Sequence, residues 1–234
     1  MTGLLNLAVI GDGKMGHAVA SLAPERGFFV VAMLGEAAVE GAGITKALLN
    51  GADVAIEFTA PEQAAANVRA CVVAGCPVVS GTTGWEAERA QVEAEIRAGR
   101  GALLFAPNFS LGVHVFTRLA AYAARLVAQA HAGFDAHIVE THHHAKLDAP
   151  SGTARLLAER AESAFGAPIG ITSVRTGSVP GHHELIFDAP FEQIRLEHFA
   201  RDRRVFAMGA LAAAQWIVGK RGVFTLDHLF GEME

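Results

Sequence analysis

The sequence contains little of what several protein classes require. It has two cysteines, Cys71 and Cys76, among 234 residues, and they form neither a CxxC pair nor part of a set of metal ligands. We therefore expect both thiols to be reduced in a cytoplasmic protein, rather than paired in the disulfides typical of secreted domains. The N-terminus has no basic segment followed by an apolar run, so it does not resemble a signal peptide.

Excess positive charge is also missing. The chain has 19 Lys and Arg residues against 24 Asp and Glu residues, which gives a formal net charge of −5. Nucleic acids and anionic membranes are bound through a basic field, so we expect neither as a partner. Any anionic ligand must instead be bound by a local cluster of donors.

Long hydrophobic runs are absent as well. The segment closest to a membrane span is "VFAMGALAAAQWIV", residues 205–218, which Gln215 interrupts. It is too short to cross about 30 Å of hydrocarbon. We predict that it forms a buried helix of the core.

The first half of the chain alternates apolar runs of strand length with helical patterns. The predicted strands are residues 4–10, 28–34, 54–58, 77–80 and 102–106, and the predicted helices are 15–23, 61–74 and 86–98. Continuous Val, Ile and Leu strands separated by helices are typical of a parallel sheet covered on both faces. Thr59, two residues before Pro61, is the predicted cap of the second helix.

The pattern changes after Asn108. A long helix (113–127) leads to a strand (136–142) and a further helix, and three strand-like segments then follow without a helix between them, at 171–175, 183–188 and 193–199. A last helix (203–218) and the tail "FTLDHLF" are expected to pack on the first domain. We predict an α/β fold with a Rossmann-like domain, residues 1–109 and 217–234, and a smaller α+β domain with a mixed sheet, residues 110–216.

The first strand is followed by a glycine-rich turn. Gly11, Gly13 and Gly16 form a G-x-G-x-x-G pattern between this strand and the first helix, and Glu36 follows the second strand, where a ribose hydroxyl is bound in dinucleotide folds. The free N–H groups at the helix N-terminus favour a phosphate. Asp12 places a carboxylate beside the expected phosphates, so it must point away or be neutralised by Lys14.

Two later loops also follow parallel-type strands and so open at the edge of the sheet where ligands bind. "VVSGTTGW" offers donors from Gly81, Thr82 and Thr83, and "LFAPNFS" offers the amide of Asn108. Ordinary loop chemistry alone explains either loop.

The segment "ETHHHAKLDAPSGTARL", residues 140–156, gathers titratable groups before a helix. In an extended strand Ile138, Glu140 and His142 share one face, while Thr141 and His143 share the other. Ser151 is a predicted N-cap, so Gly152 and Thr153 lie in a first turn whose N–H groups are free for a carboxylate. Lys146 adds a positive charge, and a histidine transfers protons near neutral pH.

Two other interpretations of this turn remain open from the residues alone. His142 and His144 have the spacing of a zinc or iron pair on a strand, although no third ligand is recognisable. Exposed histidines in a solvated loop also need no special reason. We expect no metal, and we interpret the second pair, His182 and His183, as structural.

The chain resembles the 4-hydroxy-tetrahydrodipicolinate reductase (dihydrodipicolinate reductase) family of bacterial lysine and diaminopimelate synthesis. The resemblance runs nearly end to end through the segments "GDGKMG", "FTAPE", "GTTGW", "APNFSLGV", "ETHHHAKLDAPSGTA", "RTGSVPGHHELIF" and "FAMGALAAAQWIVGKRGVFTLDHL". The motif "HHHAKLDAPSGTA" is very specific, whereas "GDGKMG" alone is not.

The resemblance implies a dinucleotide-binding domain followed by a domain for substrate binding and oligomerisation, assembled as a homotetramer. It implies hydride transfer from NADH or NADPH to a small cyclic dicarboxylate. His142 is then the proton donor and acceptor, and Lys146 the proton donor and carboxylate partner. The implied substrate contacts are His143, Ser151, Gly152 and Thr153. The implied cofactor contacts are Gly11, Asp12, Gly13, Lys14, Met15, Gly16, Glu36, Phe58, Gly81, Thr82, Thr83, Ala106, Pro107, Asn108 and Phe109.

The sequence departs from the family pattern at two places. The glycine loop is one residue shorter than in some members, and "GEA" (residues 35–37) stands where many members have Glu-Arg. Without that arginine a 2′-phosphate lacks an obvious partner, so we predict that NADH is used at least as well as NADPH. Two other functions remain as alternatives: a different Rossmann oxidoreductase, such as an aspartate-type dehydrogenase, and a nucleotide-sensing protein without catalysis.

Overall fold

The protein is described from a computed structural model, which covers residues 3–35, 43–99 and 101–231. It divides into two compact units, one made of residues 1–109 and 206–234 and the other of residues 110–205. The predicted second boundary lies at 216/217, at the C-terminal end of the helix Arg204–Ile217, whereas the structure has it near the N-terminal end. That helix buries alanines and leucine along most of its length, including Ala207, Ala210 and Leu211.

Unit 1 contains a six-stranded parallel sheet. Its strands, in chain order, are β1 Leu5–Ile10, β2 Phe28–Leu34, β3 Val54–Glu57, β4 Val78–Ser80, β5 Ala102–Phe105 and, near the C-terminus, β10 Gly222–Phe224. The order across the sheet is β10-β5-β4-β3-β1-β2. After β2 is added on one side of β1, the next strands are added on the other side, so the strand order reverses between β1 and β3. The crevice at the carboxyl ends of these two strands is where doubly wound folds bind ligands.

The helices of unit 1 lie between these parallel strands or follow the last of them. They are α1 Lys14–Leu22, α2 Pro61–Val73, α3 Glu86–Ala98, α6 Arg204–Ile217 and α7 Leu226–Phe230, with a short 3-10 helix at Pro24–Arg26. The core consists of strand residues such as Ile10, Ala55 and Val78, packed on Val68 and Val92 of the helices. The continuous apolar strands thus produce the sheet that the sequence predicts, and the Rossmann-like α/β prediction is confirmed.

Unit 2 contains a four-stranded mixed sheet and two long helices. The strands are β6 Asp135–His142, β7 Gly170–Arg175, β8 His182–Ala189 and β9 Glu192–Phe199, in the order β7-β6-β8-β9. β6 and β7 are parallel, and the other neighbours are antiparallel. The helices α4 Leu111–Ala130 and α5 Gly152–Phe165 pack on one face, where Ile138, Leu157 and Phe187 are buried.

One local expectation was wrong. The hydroxyl of Thr59 does not cap α2, whose N-cap is Ala60, because that hydroxyl is bonded to the carboxylate of Glu57. Strand β6 ends at His142, which is also the predicted last residue of that strand. The tail packs on unit 1, as expected, and the strand β10 that leads into it adds to the edge strand β5. A three-residue strand beginning with glycine has too little pattern to be predicted from sequence.

Both cysteines are free, as expected. Both are also buried, and burial raises the pKa of the Cys76 thiol to about 12. Among the described residues, no helix combines the length and the apolar character that a membrane crossing requires.

Candidate active site

The glycine turn after β1 has a geometry that other residues cannot adopt without strain. Gly11 has φ +103°, and a Cβ there would lie 2.0 Å from the carbonyl oxygen of Phe58. A Cβ at Gly16 would lie 1.9 Å from the carbonyl oxygen of Gly11, so α1 packs directly on the turn. A Cβ at Gly13 would meet nothing within 4 Å, which leaves this face of the turn uncovered.

The N-terminus of α1 is suited to a phosphate. Its N-cap is Gly13, and no side chain within the described part of the chain caps it. The first N–H groups of a helix carry a partial positive charge and need an acceptor. The turn therefore has the exposed backbone donors that a pyrophosphate requires.

Asp12 points towards the end of β2. A Cβ on Gly35 would lie 2.2 Å from Oδ2 of Asp12, so the carboxylate lies directly beside the Gly35 backbone. Of the two possibilities that the sequence leaves for Asp12, this favours the side chain that points away from the turn. Glu36, the predicted ribose ligand, lies outside the described residues.

The other predicted cofactor residues meet at the carboxyl ends of neighbouring strands. Phe58 follows β3, the loop of Gly81, Thr82 and Thr83 follows β4, and Ala106, Pro107, Asn108 and Phe109 follow β5. The Phe58 and Phe109 rings are in edge contact, with centroids 6.0 Å apart. A Cβ on Gly81 would lie 2.0 Å from the Phe58 ring, so this glycine is required for the close packing of the two loops.

In unit 2 the predicted catalytic histidine ends strand β6. His142 is buried, and its Nδ1 is hydrogen-bonded to the fully buried carboxylate of Glu140 two residues earlier. The alternation of the strand places both side chains on the covered face, as predicted. Because Nδ1 faces a carboxylate, the proton of the neutral ring belongs on Nδ1, and Nε2 is left with its lone pair.

Glu140 connects several parts of this cluster. Its Oε1 accepts hydrogen bonds from Nη2 of Arg175 at 2.7 Å and from the backbone N–H of Ser151 at 3.3 Å. Burial alone raises the pKa of Glu140, but hydrogen bonds from Arg175, Ser173 and His142 outweigh it and lower the pKa to about 2. The group is therefore a carboxylate at neutral pH.

Burial also affects the pKa values of two neighbouring imidazoles, those of His142 and His183. It lowers the pKa of His142, and the positive charges of Lys146 and Arg175 act in the same direction against the effect of Glu140. It lowers the pKa of His183 to about 3. The two rings are in edge contact with centroids 5.1 Å apart, and Nε2 of His183 is 3.2 Å from Oγ of Ser151. The structure thus places His183 within the cluster, whereas the sequence indicated only a structural residue.

Ser151 forms the predicted N-cap. Its Oγ accepts a hydrogen bond from the N–H of Ala154 at 3.1 Å, and α5 begins at Gly152. A Cβ at Gly152 would meet nothing within 4 Å, so this helix N-terminus is uncovered and can receive a carboxylate.

Lys146 is connected to the same cluster through Asp148. Its Nζ lies 2.7 Å from Oδ1 of Asp148, whose backbone carbonyl accepts a hydrogen bond from Nη2 of Arg175 at 2.5 Å. A continuous chain of contacts therefore runs from His142 through Glu140, Arg175 and Asp148 to Lys146. His143 and His144 are fixed by backbone bonds to Val179 and Gly177.

The structure brings together a different set of potential metal ligands from the pair that the sequence suggested. The potential ligand group among the described residues is Glu140, His142 and His183, with ligand atoms within 4.8 Å of one another, and His144 is outside it. Nδ1 of His144 faces the carbonyl oxygen of Gly177 at 3.0 Å. The guanidinium of Arg175 already neutralises Glu140, which disfavours a second cation there.

Sequence reasoning missed three members of this cluster. Glu140 carried a usable signal, because an acid at an inward-facing position of a strand needs a partner. Arg175 and His183 come from strands that follow much later in the chain, and no local pattern relates them to His142.

Comparison with known proteins identifies relatives of both units. Residues 5–109 match the family model described as "Dihydrodipicolinate reductase, N-terminus", and residues 112–230 match "Dihydrodipicolinate reductase, C-terminus". The boundary between the two matches coincides with the first boundary between the structural units.

Individual relatives are similar over most of their length. The 4-hydroxy-tetrahydrodipicolinate reductase of Thiobacillus denitrificans is 38% identical over 208 residues, 80% of this chain and 76% of that protein. The enzyme of the same name from Christiangramia forsetii is 32% identical over 98% of this chain and 99% of its own length. A solved structure, dipicolinate-bound dihydrodipicolinate reductase from Paenisporosarcina sp. TG-14, superposes with a TM-score of 0.77 over 95% of this chain and 97% of that chain, at 23% identity, and so supports the fold.

Proposed function

The chain belongs to the dihydrodipicolinate reductase family, and from that premise we propose how its own residues carry out the reduction. The reaction is the nicotinamide-dinucleotide-dependent reduction of the dehydrated form of 4-hydroxy-tetrahydrodipicolinate to tetrahydrodipicolinate, a step of lysine and diaminopimelate biosynthesis. The observation that carries this function is that both halves of the chain match the family.

Unit 1 provides the seat for the dinucleotide. Gly13 and the uncapped N-terminus of α1 would hold the pyrophosphate, and the loops that follow β3, β4 and β5 would hold the nicotinamide half. When bound, the reduced nicotinamide supplies the hydride. Phe58 packs against both Phe109 and Gly81, and these contacts fix the shape of the surface that would hold this half.

The position of Asp12 supports NADH as a good cofactor. Its carboxylate lies beside Gly35 at the end of β2, where dinucleotide folds bind the adenosine ribose. A carboxylate accepts a hydrogen bond from a ribose hydroxyl and repels a 2′-phosphate. Ala37 in the sequence also removes the arginine that often neutralises such a phosphate.

His142 and Lys146 supply and organise the proton. Hydride addition to one carbon of the unsaturated ring places negative charge on the conjugated system, and the adjacent carbon must then gain a proton. His142 in its doubly protonated form donates this proton from Nε2 and returns to the neutral ring, whose remaining proton on Nδ1 is hydrogen-bonded to Glu140. The lowered pKa of His142 makes its protonated form the more ready donor.

Positive groups bind the two carboxylates of the substrate. One carboxylate binds the N–H groups of Gly152 and Thr153 at the start of α5, the helix that Ser151 caps. The side chain of His143 contacts the same carboxylate. Lys146 leaves Asp148 to pair with the substrate and adds a full charge. Such fixed donors stabilise the negative charge that develops during reduction.

The remaining proposals concern assembly and location. The face of the unit 2 sheet opposite its core exposes Phe199 (58%) and Val174 (37%), which supports assembly into a homotetramer through this sheet. Free buried thiols and a biosynthetic reaction support a cytoplasmic location. Size-exclusion chromatography with light scattering tests the assembly.

A coupled assay tests the function. The purified protein is mixed with NADH and with the product stream of the preceding synthase, and the absorbance of NADH is followed at 340 nm. We expect NADH to be oxidised only when both the protein and the synthase product are present. Binding of NADH without oxidation would instead favour a nucleotide-sensing protein, and stoichiometric zinc or iron with loss of activity on chelation would favour the metal interpretation.

A further inference from the structure

Unit 1 contains a carboxylate that no role above uses. Glu57 is the last residue of β3 and is fully buried. Its Oε2 accepts a hydrogen bond from the hydroxyl of Ser80 at 2.6 Å. Its Oε1 accepts from the hydroxyl of Thr82 at 2.7 Å, from the backbone N–H of Thr59 at 3.0 Å and from the Thr59 hydroxyl. Within the described residues it forms no ion pair.

A buried acid of this kind is not needed for the sheet itself. The three preceding residues of β3, Val54, Ala55 and Ile56, are fully buried and apolar, and a further apolar side chain would complete the strand. Burial of a carboxylate carries a large desolvation cost, which the four hydrogen bonds offset. The arrangement therefore requires another explanation.

The hydrogen bonds of Glu57 connect two ligand-binding loops. Thr59 belongs to the loop after β3, and Thr82 belongs to the loop after β4. The network extends outwards, because Nδ2 of Asn67 donates to the Thr59 hydroxyl at 3.2 Å and the indole N–H of Trp85 donates to the carbonyl of Thr82 at 2.8 Å. One carboxylate thus fixes the spacing between the loops.

The residues adjacent to these anchors form the proposed cofactor surface. Phe58 lies between Glu57 and Thr59, and the backbone N–H of Gly81 donates to the carbonyl of Glu57 at 3.0 Å. The contact of the Phe58 ring with Gly81 depends on this spacing. In the sheet order, β3 and β4 lie on the opposite side of β1 from β2, so their loops face the nicotinamide half rather than the adenosine half.

We propose that Glu57 is a positioning residue for the nicotinamide half of the dinucleotide, acting through Thr59 and Thr82. The inference rests on the proposed dinucleotide seat. A positioning role predicts that substitution of Glu57 weakens binding of the nicotinamide half alone. A residue that only stabilises the sheet would not have such a selective effect.

Binding measurements on the full chain test this role. Calorimetry gives the Kd of NADH and of ADP-ribose, which lacks the nicotinamide, for the wild type, Glu57→Ala, Glu57→Gln and the control Glu95→Gln. Glu95 pairs with Arg69 at 2.8 Å between the α2 and α3 helices, away from both loops. We expect Glu57→Ala to raise the Kd of NADH about tenfold and to change that of ADP-ribose by less than about twofold, as for the loss of hydrogen bonds to a charged group. Glu57→Gln retains one acceptor oxygen, so its Kd for NADH is expected to lie between those of the wild type and Glu57→Ala.

Equal weakening of both ligands, or no weakening of either, would overturn the proposal. If Glu57→Ala does not fold, Ser80→Ala removes a single buried donor and must show the same selectivity for NADH at a smaller magnitude. If the wild type binds no NADH, the dinucleotide seat and this inference both fail. If the wild type binds NADH and only the selectivity is missing, this inference alone fails.

Discussion

Glu140 and Arg175 form an ion pair in which Nη2 lies 2.7 Å from Oε1 of a carboxylate that is completely buried. The other oxygen of that carboxylate is bonded to Nδ1 of His142. Removal of one partner of a buried pair leaves an uncompensated charge, so the three groups act as a unit.

Glu140→Gln is expected to impair catalysis more than binding. The amide can accept or donate, so it no longer holds the Nδ1–H tautomer of His142, and kcat should fall about 10- to 100-fold. Nitrogen-15 NMR of the histidines checks the tautomer, and the pH profile of kcat should shift. An unchanged tautomer and an unchanged profile would contradict the positioning role.

His142→Asn removes the proposed proton donor. We expect kcat to fall about 10²- to 10⁴-fold, the range for the loss of general acid catalysis. Steady-state kinetics measure this change, and the Kd of NADH should be nearly unaffected. His144→Asn is the matched control in the same turn, because its ring is bonded to the backbone of Gly177, and it should retain activity. Normal turnover by His142→Asn would remove the proton-transfer proposal.

Lys146→Ala removes a charge from the substrate site. We expect kcat/KM for the dicarboxylate to fall about 10- to 100-fold, since a charged hydrogen bond is worth about 1.5–3 kcal/mol. Steady-state kinetics with varied substrate measure the effect, and Lys46→Ala, an exposed lysine of unit 1, is the control. Equal kinetics for the two variants would exclude Lys146 from the site.

Asp12→Asn is expected to change cofactor preference. Without the carboxylate beside Gly35, repulsion of a 2′-phosphate falls, and the ratio of kcat/KM for NADPH to that for NADH should rise about fivefold or more. Both constants are measured at fixed substrate. Glu25→Gln changes the charge equally at another exposed position of unit 1 and should leave the ratio unchanged. A ratio unaltered in Asp12→Asn, or a wild type that strongly prefers NADPH, would refute this explanation.

His183 is expected to make the protein less stable in acid. Its folded pKa of about 3 lies below the usual value of 6.5, so its contribution is fully present above pH 6.5 and is lost as the pH falls towards 3. The slope is at most about 1.4 kcal/mol per pH unit for one proton. Urea unfolding at pH 7.5 and pH 5 should show a smaller difference for His183→Asn than for the wild type. Equal differences would show that His183 is not the group responsible.

The elements of the fold could be predicted where a local pattern determines them. The strands β1 to β5 are continuous apolar runs, and Ser151 caps α5 through a local hydrogen bond. Each of these features follows from neighbouring residues.

The rest depends on residues that are distant in the chain. Thr59 has the right spacing to cap α2, but its hydroxyl donates to Glu57 and accepts from Nδ2 of Asn67 instead. Glu57 itself was visible as an acid in the apolar run "VAIEF", yet its partners Ser80 and Thr82 lie 23 and 25 residues away. The same holds for Arg175, which is 35 residues from Glu140.

The position of β10 has a consequence for synthesis of the chain. Residues 110–205 are contiguous and complete their own unit, whereas the parallel sheet receives its last strand only when Gly222–Phe224 have been translated. Until then β5 is a bare edge, and unpaired strand edges recruit other chains. A nascent or truncated product that stops before residue 222 should therefore depend on chaperones and aggregate through β5, even though its inserted unit is whole.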